Sequence, residues 1–259
     1  MRSQFKPVGG NEIDDLAYLK RWNIALAVLH FASLSAIFAL TVNPWTVYVT
    51  MPRSLWVPKK PEDAADSCSD VPCRVESSWA TVGGASIEWM VIAFHAPAVV
   101  SHAYAAWIHE SYAKDLLDKY PTAHRWIEYS VSASIMTAAI ALLSNITDVW
   151  TISCGCIMCA VTQCMGYLSE ANKKYQFDLV GTWLFFGLGM ILILPIWVNI
   201  YYNYHYAIVR GTDTPPWWVG LIIYLLLVLF MLFAWVHMLY LCSGNNDARA
   251  LVTAERRYM

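Results

Sequence analysis

The sequence predicts an all-α, polytopic bundle of transmembrane helices, and three observations support this. Apolar residues make up 58% of the 259 residues, against about 45–50% in soluble domains. Charged residues make up 14%, against about 25% in soluble domains. The apolar residues lie in continuous runs of about 20 residues, the length that crosses a bilayer as a helix. A cytosolic enzyme and a disordered chain are therefore excluded, and the net charge of −2 excludes a nucleic-acid binder.

Six apolar runs are long enough to span the membrane, and we treat residues 1–259 as a single membrane domain. The predicted spans are residues 22–43, 86–108, 126–145, 149–168, 179–202 and 216–242. The first run is not a cleavable signal peptide, because a polar segment precedes it and a long polar loop follows it.

The Lys and Arg residues are unevenly divided between the two sides of the predicted membrane. If the N-terminus is inside, the outer side holds five of the 17 Lys and Arg residues: Arg53, Lys59, Lys60, Arg74 and Arg210. Because basic residues accumulate in the cytoplasm, the segment 1–21 and the tail 243–259 are predicted to be cytoplasmic. We expect the plasma membrane, although an organelle membrane fits the same pattern.

The first loop, residues 44–85, is the only long connection and is predicted to be extracellular. Its length allows a small hairpin or a lid. Cys68 and Cys73 lie in this loop on the oxidising side. We expect them to form a disulfide, since the alternative is two exposed free thiols.

The fourth span contains Cys-Gly-Cys-Ile-Met-Cys, beginning at Cys154, which is spaced like a metal-binding motif. On a lipid-embedded helix these side chains would point in different directions around the axis. We therefore interpret the cysteines as small residues that allow close helix packing, and we predict no metal site.

Ionisable side chains within the apolar spans are costly, and each is a candidate for function. Those well inside a span are His30, His95, His102 and Glu128. We expect His95 to be a hydrogen-bonded packing residue. His30 and His102, with Glu128, would bring titratable groups from three helices into one hydrated cavity. Glu88, Asp148 and His237 lie near span ends and are ambiguous.

Glu128 is the strongest of these candidates. Arg125 lies one turn before it and Ser132 one turn after it, so all three share one helix face. One interpretation is a structural ion pair between Arg125 and Glu128. The other is a carboxylate that stays ionised because it neutralises a buried cation.

Several motifs together resemble the heliorhodopsins, a family of retinal-binding membrane proteins. Arg-Trp-Ile-Glu-Tyr-Ser at residues 125–130 resembles the third helix of that family, and His30 and His102 fall where it has two cavity histidines. The sequence at 166–170 resembles the end of its fourth helix. Pro195-Ile-Trp197 resembles its fifth-helix motif, and residues 254–258 resemble the segment after its sixth helix.

The resemblance implies a rhodopsin-like photoreceptor that is not an enzyme. It implies retinal held by a protonated Schiff base, with Glu128 as the counterion and Ser132 tuning it. His30 and His102 would belong to a proton network, while Pro195 and Trp197 would contact the cofactor. The family is not known to pump ions, so signalling through a partner is expected, with light-gated proton conductance as a sub-option. A homodimer is also implied.

The lysines are the departure from this pattern. Heliorhodopsins have seven helices and carry retinal on a lysine of the seventh, whereas all eight lysines here lie outside the predicted spans. Either these residues are part of a longer seven-helix protein, which we favour, or the chain is a six-helix relative. The six-helix relative would be a retinal-free scaffold or a subunit of a larger membrane complex. A small transporter has the least support, because no inverted repeat is visible.

Overall fold

The computed structural model describes residues 10–58, 73–109, 111, 123–174, 179–211 and 216–242. In these residues the chain forms six long helices. They are α1 (Gly10–Leu40), α2 (Ile87–Trp107), α3 (Ala123–Leu143), α4 (Val149–Lys174), α5 (Leu179–Arg210) and α6 (Trp217–Cys242). All six are long and apolar enough to cross a membrane. The predicted all-α bundle with six spans is therefore confirmed.

Three helices extend well beyond the predicted spans. Helix α1 begins at Gly10 rather than at residue 22, α4 continues to Lys174 rather than ending at 168, and α5 continues to Arg210 rather than ending at 202. The added segments mix apolar residues with polar and aromatic ones, and polar and aromatic residues mark the membrane surface. They do not end a helix, because the backbone hydrogen bonds continue into water. Hydropathy thus indicates where the lipid boundary lies, but it does not indicate where a helix begins or ends.

The loop between the first two spans forms an antiparallel hairpin. Its strands are β1 (Thr46–Pro58) and β2 (Cys73–Ser86). Ser86 Oγ caps α2 by accepting from the backbone N–H of Trp89 at 3.3 Å. The carboxylate of Glu88 accepts from the backbone N–H of Trp45 at 2.8 and 2.9 Å. The base of the hairpin is therefore fixed directly to the first turn of α2.

The same hairpin also contacts the turn between α3 and α4. Thr50 N–H donates to the Thr147 carbonyl at 2.8 Å, and the two threonine hydroxyls lie 3.2 Å apart. Asn145 turns the chain with φ of 65°, a conformation that Asn tolerates better than most residues. The hairpin, which connects α1 to α2, is thus bound to the turn that connects α3 to α4. The predicted disulfide lies outside the described residues, because Cys68 is not among them.

Helix α3 lies at the centre of the bundle. Half of its most apolar window is buried, against at most 22% in the other five helices. Its alanines at 138, 139 and 141 are buried, and small side chains let neighbouring helices approach closely. In α4, a Cβ at Gly155 would overlap the Ile196 side chain, and Cys159 is completely buried. Cys154 and Cys164 are exposed, so the cysteines do point in different directions around α4.

Candidate functional site

All six helices contribute to one cavity of about 450 Å³. Apolar side chains form most of its wall, among them Phe94, Phe185, Phe186, Leu226, Leu229, Phe230 and Phe233. On α3 the wall runs from Trp126 to Met136, in the half of the helix remote from the hairpin. A volume of this size, with apolar walls and few polar groups, is typical of a small-molecule site.

Four residues singled out from the sequence lie in the wall of this cavity. They are His30, His102, Glu128 and Ser132. Glu128 is 9% exposed and Ser132 is 4% exposed, and Ser132 lies one turn after Glu128 on α3. The structure therefore brings together a carboxylate, its hydroxyl neighbour and imidazoles from two other helices.

Pro195 and Trp197 are not among the described residues that line the cavity, and their expected contact with the cofactor stays a prediction. Helix α5 presents Gly189 to the cavity. One and two turns on, the same face presents Ile193 and Trp197, which are buried in the apolar core. Trp197 packs against Phe230 with ring centroids 6.0 Å apart, so it lies behind the wall. Pro195 is on an exposed side of α5.

Arg125 forms a different ion pair from the one suggested by the sequence. Among the described residues, its ion pair is with Glu170 of α4, at 3.0 Å between Nη2 and Oε2, and not with Glu128. Trp126 Nε1–H donates to the same Glu170 oxygen at 2.5 Å. Spacing along one helix could not reveal this partner, because it depends on how α3 and α4 pack. Glu128 is left facing the cavity.

Trp126 connects this ion pair to the cavity wall. One side of its ring packs so closely against α4 that a Cβ at Gly166 would overlap it. The ring of His237 from α6 meets Trp126 edge-on, with centroids 5.4 Å apart. The indole is therefore held in position by two neighbouring helices and by its bond to Glu170.

The histidines of α1 and α2 form a chain. His30 Nδ1 lies 2.9 Å from His95 Nδ1, and the His30 and His102 rings stack with centroids 5.8 Å apart. His102 Nδ1 is 3.0 Å from Asn23 Oδ1. His95 is outside the cavity wall, and its hydrogen bond fits the packing role expected for it.

Comparison with known families gives an extensive match. The heliorhodopsin family model matches residues 19–259. The chain belongs to the heliorhodopsin family. Membership confirms the resemblance, and it makes the chain an integral, multi-pass membrane protein of a rhodopsin-like photoreceptor family that binds retinal. No curated protein sequence matches the chain.

The cavity of this heliorhodopsin fits a retinal chromophore in its chemistry. Retinal is a long apolar polyene, and the phenylalanines and leucines of the wall offer an apolar surface for it. The polyene becomes cationic where it joins a lysine, and Glu128 supplies a buried carboxylate in the same wall. No lysine is among the described residues that line the cavity.

Several residues of the heliorhodopsin cavity could not be singled out from the sequence. Gln163 and Gly166 line it from α4, and His237 lines it from α6. The position of His237 near the end of the last span was a weak signal for it. Gln163 gave none, because which face of α4 turns inward is set by packing against α3 and α5. Gly166 and Glu170 belong to the motif at 166–170, but the motif did not show that Gly166 lines the cavity or that Glu170 pairs with Arg125.

Proposed function

We propose that this heliorhodopsin is a retinal-binding light sensor in which Glu128 is the counterion of the bound chromophore. One observation carries the proposal: a buried carboxylate faces an apolar cavity of about 450 Å³. Burying an isolated carboxylate is costly unless a cation or hydrogen bonds compensate for it. Arg125, the nearest cation along the helix, is engaged by Glu170. A cationic ligand would supply the compensation.

The residues that line the cavity would act on the bound retinal in different ways. When bound, retinal supplies visible-light absorption and isomerisation, with a positive charge at its lysine linkage. Glu128 neutralises that charge, and Ser132 orients the carboxylate through its hydroxyl. Phe186 and Phe230 line the cavity and would exclude water and hold the polyene by apolar contact. His30 and His102 line the same cavity and can hold a proton released beside Glu128.

The proposal requires a lysine at the cavity. None of the eight lysines, at positions 6, 20, 59, 60, 114, 119, 173 and 174, is among the described residues that line the cavity. The proposal therefore includes a seventh helix, continuing the chain beyond residue 259, which brings a lysine to the cavity beside Glu128.

We propose signalling rather than ion pumping. Three polar groups of the cavity, Glu128, Ser132 and His102, lie towards the end of the bundle remote from the hairpin, and His30 lies near the middle of the bundle. Towards the hairpin, Ile140 and Ile200 are at most 2% exposed and belong to the apolar core. A pump needs polar or hydrated groups along the whole path. Light-gated proton conductance would also need polar or hydrated groups along the whole path, so we favour signalling over it.

The proposed orientation of the chain in the membrane rests on its charge distribution, and its proposed partners rest on the family. The distribution of Lys and Arg supports a cytoplasmic N-terminus, which places the hairpin outside the cell. We propose the plasma membrane as the location. A signalling protein on the cytoplasmic side and a second copy of the chain are the proposed partners, both inferred from the family.

The test of this function is the visible spectrum of a Glu128→Gln variant, made in the full-length chain and reconstituted with all-trans retinal. Removing the counterion charge narrows the gap between ground and excited states. We therefore expect the absorption maximum to move to longer wavelength.

Glu88→Gln is the matched control, because Glu88 is also a membrane-helix carboxylate but binds the hairpin base and not the cavity. Its spectrum should equal that of the unmodified protein. An unshifted spectrum in Glu128→Gln would remove Glu128 from the counterion role. Failure of the unmodified chain to form any visible band would favour the retinal-free scaffold.

A further inference from the structure

The interface between α1 and α2 contains three histidine side chains, and only two of them line the cavity. His30, His95 and His102 form a connected chain, and Asn23 ends it. We propose that these three rings form one proton-binding site, which takes up a single proton, and that Asn23 fixes the tautomer of His102 as its acceptor. The inference rests on the proposed function, which gives His30 and His102 a proton-holding role, and it adds His95 to the site, limits the site to one proton and fixes the tautomer of His102.

The orientation of the Asn23 amide is decided by its second contact. Asn23 is buried at 1% exposure, and its Nδ2 donates to the Leu19 carbonyl at 3.1 Å. Only the amide nitrogen can donate to a carbonyl, so the amide oxygen must be the atom that faces His102. This assignment holds without reference to the imidazole.

The tautomer of His102 follows from that orientation. The Asn23 oxygen can only accept, and it lies 3.0 Å from His102 Nδ1. Nδ1 must therefore carry the hydrogen. In a neutral imidazole the other nitrogen then keeps its lone pair. His102 Nε2 is thus the atom that can take up a proton. Asn23 is a positioning residue, since it acts through His102.

The pair His30 and His95 can hold only one positive charge. Their Nδ1 atoms lie 2.9 Å apart, so a single hydrogen lies between them, on one ring or the other. In the neutral pair the donor ring has Nδ1–H and the acceptor ring has Nε2–H. One added proton goes to the free Nε2 of the donor ring. A second would place two N–H donors against each other and break the contact.

His102 is electrostatically coupled to this pair. It stacks on His30 at 5.8 Å with planes 13° apart, so charges on the two rings would repel each other in an apolar bundle. Glu128 of α3, which shares the cavity, favours the first charge. His124 of α3, which lies against Tyr104, and His237 of α6 disfavour a second charge when protonated. Arg125 is engaged by Glu170. We therefore expect the three histidine rings together to take up one proton.

The experiment is ¹⁵N NMR of the full chain, labelled at histidine, in lipid nanodiscs with no retinal added. We expect His102 to show a protonated Nδ1 and a lone pair on Nε2. We also expect a scalar coupling across the hydrogen bond between the Nδ1 atoms of His30 and His95. On acidification, one added proton should be shared by the three rings before any second uptake.

Variants at Asn23 test its positioning role. Asn23→Leu removes the acceptor, so His102 should lose its fixed tautomer and gain the Nε2–H form. Asn23→Asp keeps an acceptor oxygen and should retain the Nδ1–H form. Asn203→Leu is the control: it removes an amide that bonds Asn199 on α5, far from these rings, and should leave His102 unchanged.

Two results would overturn the inference. The first is a His102 that carries its hydrogen on Nε2 in the unmodified chain, or whose tautomer is the same in Asn23→Leu. The second is independent protonation of the three rings, with no coupling between the Nδ1 atoms of His30 and His95. If Asn23→Leu does not fold, the tautomer and the coupling in the unmodified protein decide the question alone.

Discussion

At the scale of single residues, Trp126 is where the cavity and the ion pair behind it meet. It lines the cavity, donates to Glu170 and packs directly against Gly166. A side chain at residue 166 must therefore displace the indole, and the displacement would both fill part of the cavity and break the bond to Glu170.

The Gly166→Ala variant tests this contact. The added Cβ overlaps the Trp126 ring, and overpacking of this kind costs about 1–3 kcal/mol of stability. We expect a lower unfolding temperature in detergent. Gly187→Ala is the control, because no atom lies within 4 Å of a Cβ there, and Ala is the better helix former by about 1 kcal/mol. Equal unfolding temperatures for the two variants would contradict the packing described here.

The sequence predicted part of the site at this scale. An ionisable group in an apolar span is costly, and such a group can be recognised from the sequence alone. This is how we found His30, His102 and Glu128. The partner of Arg125 was missed because pairing depends on the rotation of α4 about its axis. The position of Trp197 against Phe230 could not be predicted, because resemblance to a motif does not say which residues stand behind the wall.

At the scale of elements, Asp148 joins the hairpin region to the start of α4. Its carboxylate accepts from the backbone N–H of Trp150 at 3.3 Å and of Thr151 at 2.9 Å, and it also accepts from the Thr151 hydroxyl at 2.5 Å. Desolvation opposes ionisation, but these hydrogen bonds outweigh it and hold the pKa of Asp148 below its ordinary value. The ionised form is therefore the one that caps the helix.

Replacing Asp148 should lower stability in a pH-dependent way. The loss of an N-cap costs about 1 kcal/mol, so we expect Asp148→Ala to unfold at a lower temperature at neutral pH. A depressed folded pKa stabilises the fold fully above the unfolded value of about 3.9. That contribution is lost as pH falls through the folded pKa, and the two proteins should converge there.

Asp148→Asn provides the comparison for this effect, because it keeps an acceptor oxygen but cannot titrate. It should lose less stability than Asp148→Ala, and the difference between the two variants should not change with pH. A gap between the unmodified chain and Asp148→Ala that stays constant down to pH 3 would contradict a role for the ionised carboxylate.

The six helices were predictable at this scale, whereas their ends were not. Lipid selects continuous apolar runs, and the run length fixes the number of spans. The first residues of α1 and the last turns of α5 lie outside the apolar runs, where hydropathy carries no signal. The hairpin was only one of two options for its loop, because the hydrogen bonds that fix it, from Trp45 to Glu88 and from Thr50 to Thr147, join residues far apart in the sequence.

At the scale of the whole molecule, the bundle has two different halves. Towards the hairpin the bundle has an apolar core, and towards the other end it contains a cavity with a buried carboxylate and the imidazole of His102. This difference between the two ends supports the proposal of a light sensor.

The central claim is that this cavity holds retinal on a lysine beyond residue 259. The most direct test is the intact mass of the protein from its natural source, after borohydride reduction to fix any bound retinal. We predict a mass several kilodaltons above the 29.3 kDa of these residues, enough for one more span of about 20 residues, together with a retinyl adduct. A mass of 29.3 kDa without an adduct would contradict the account.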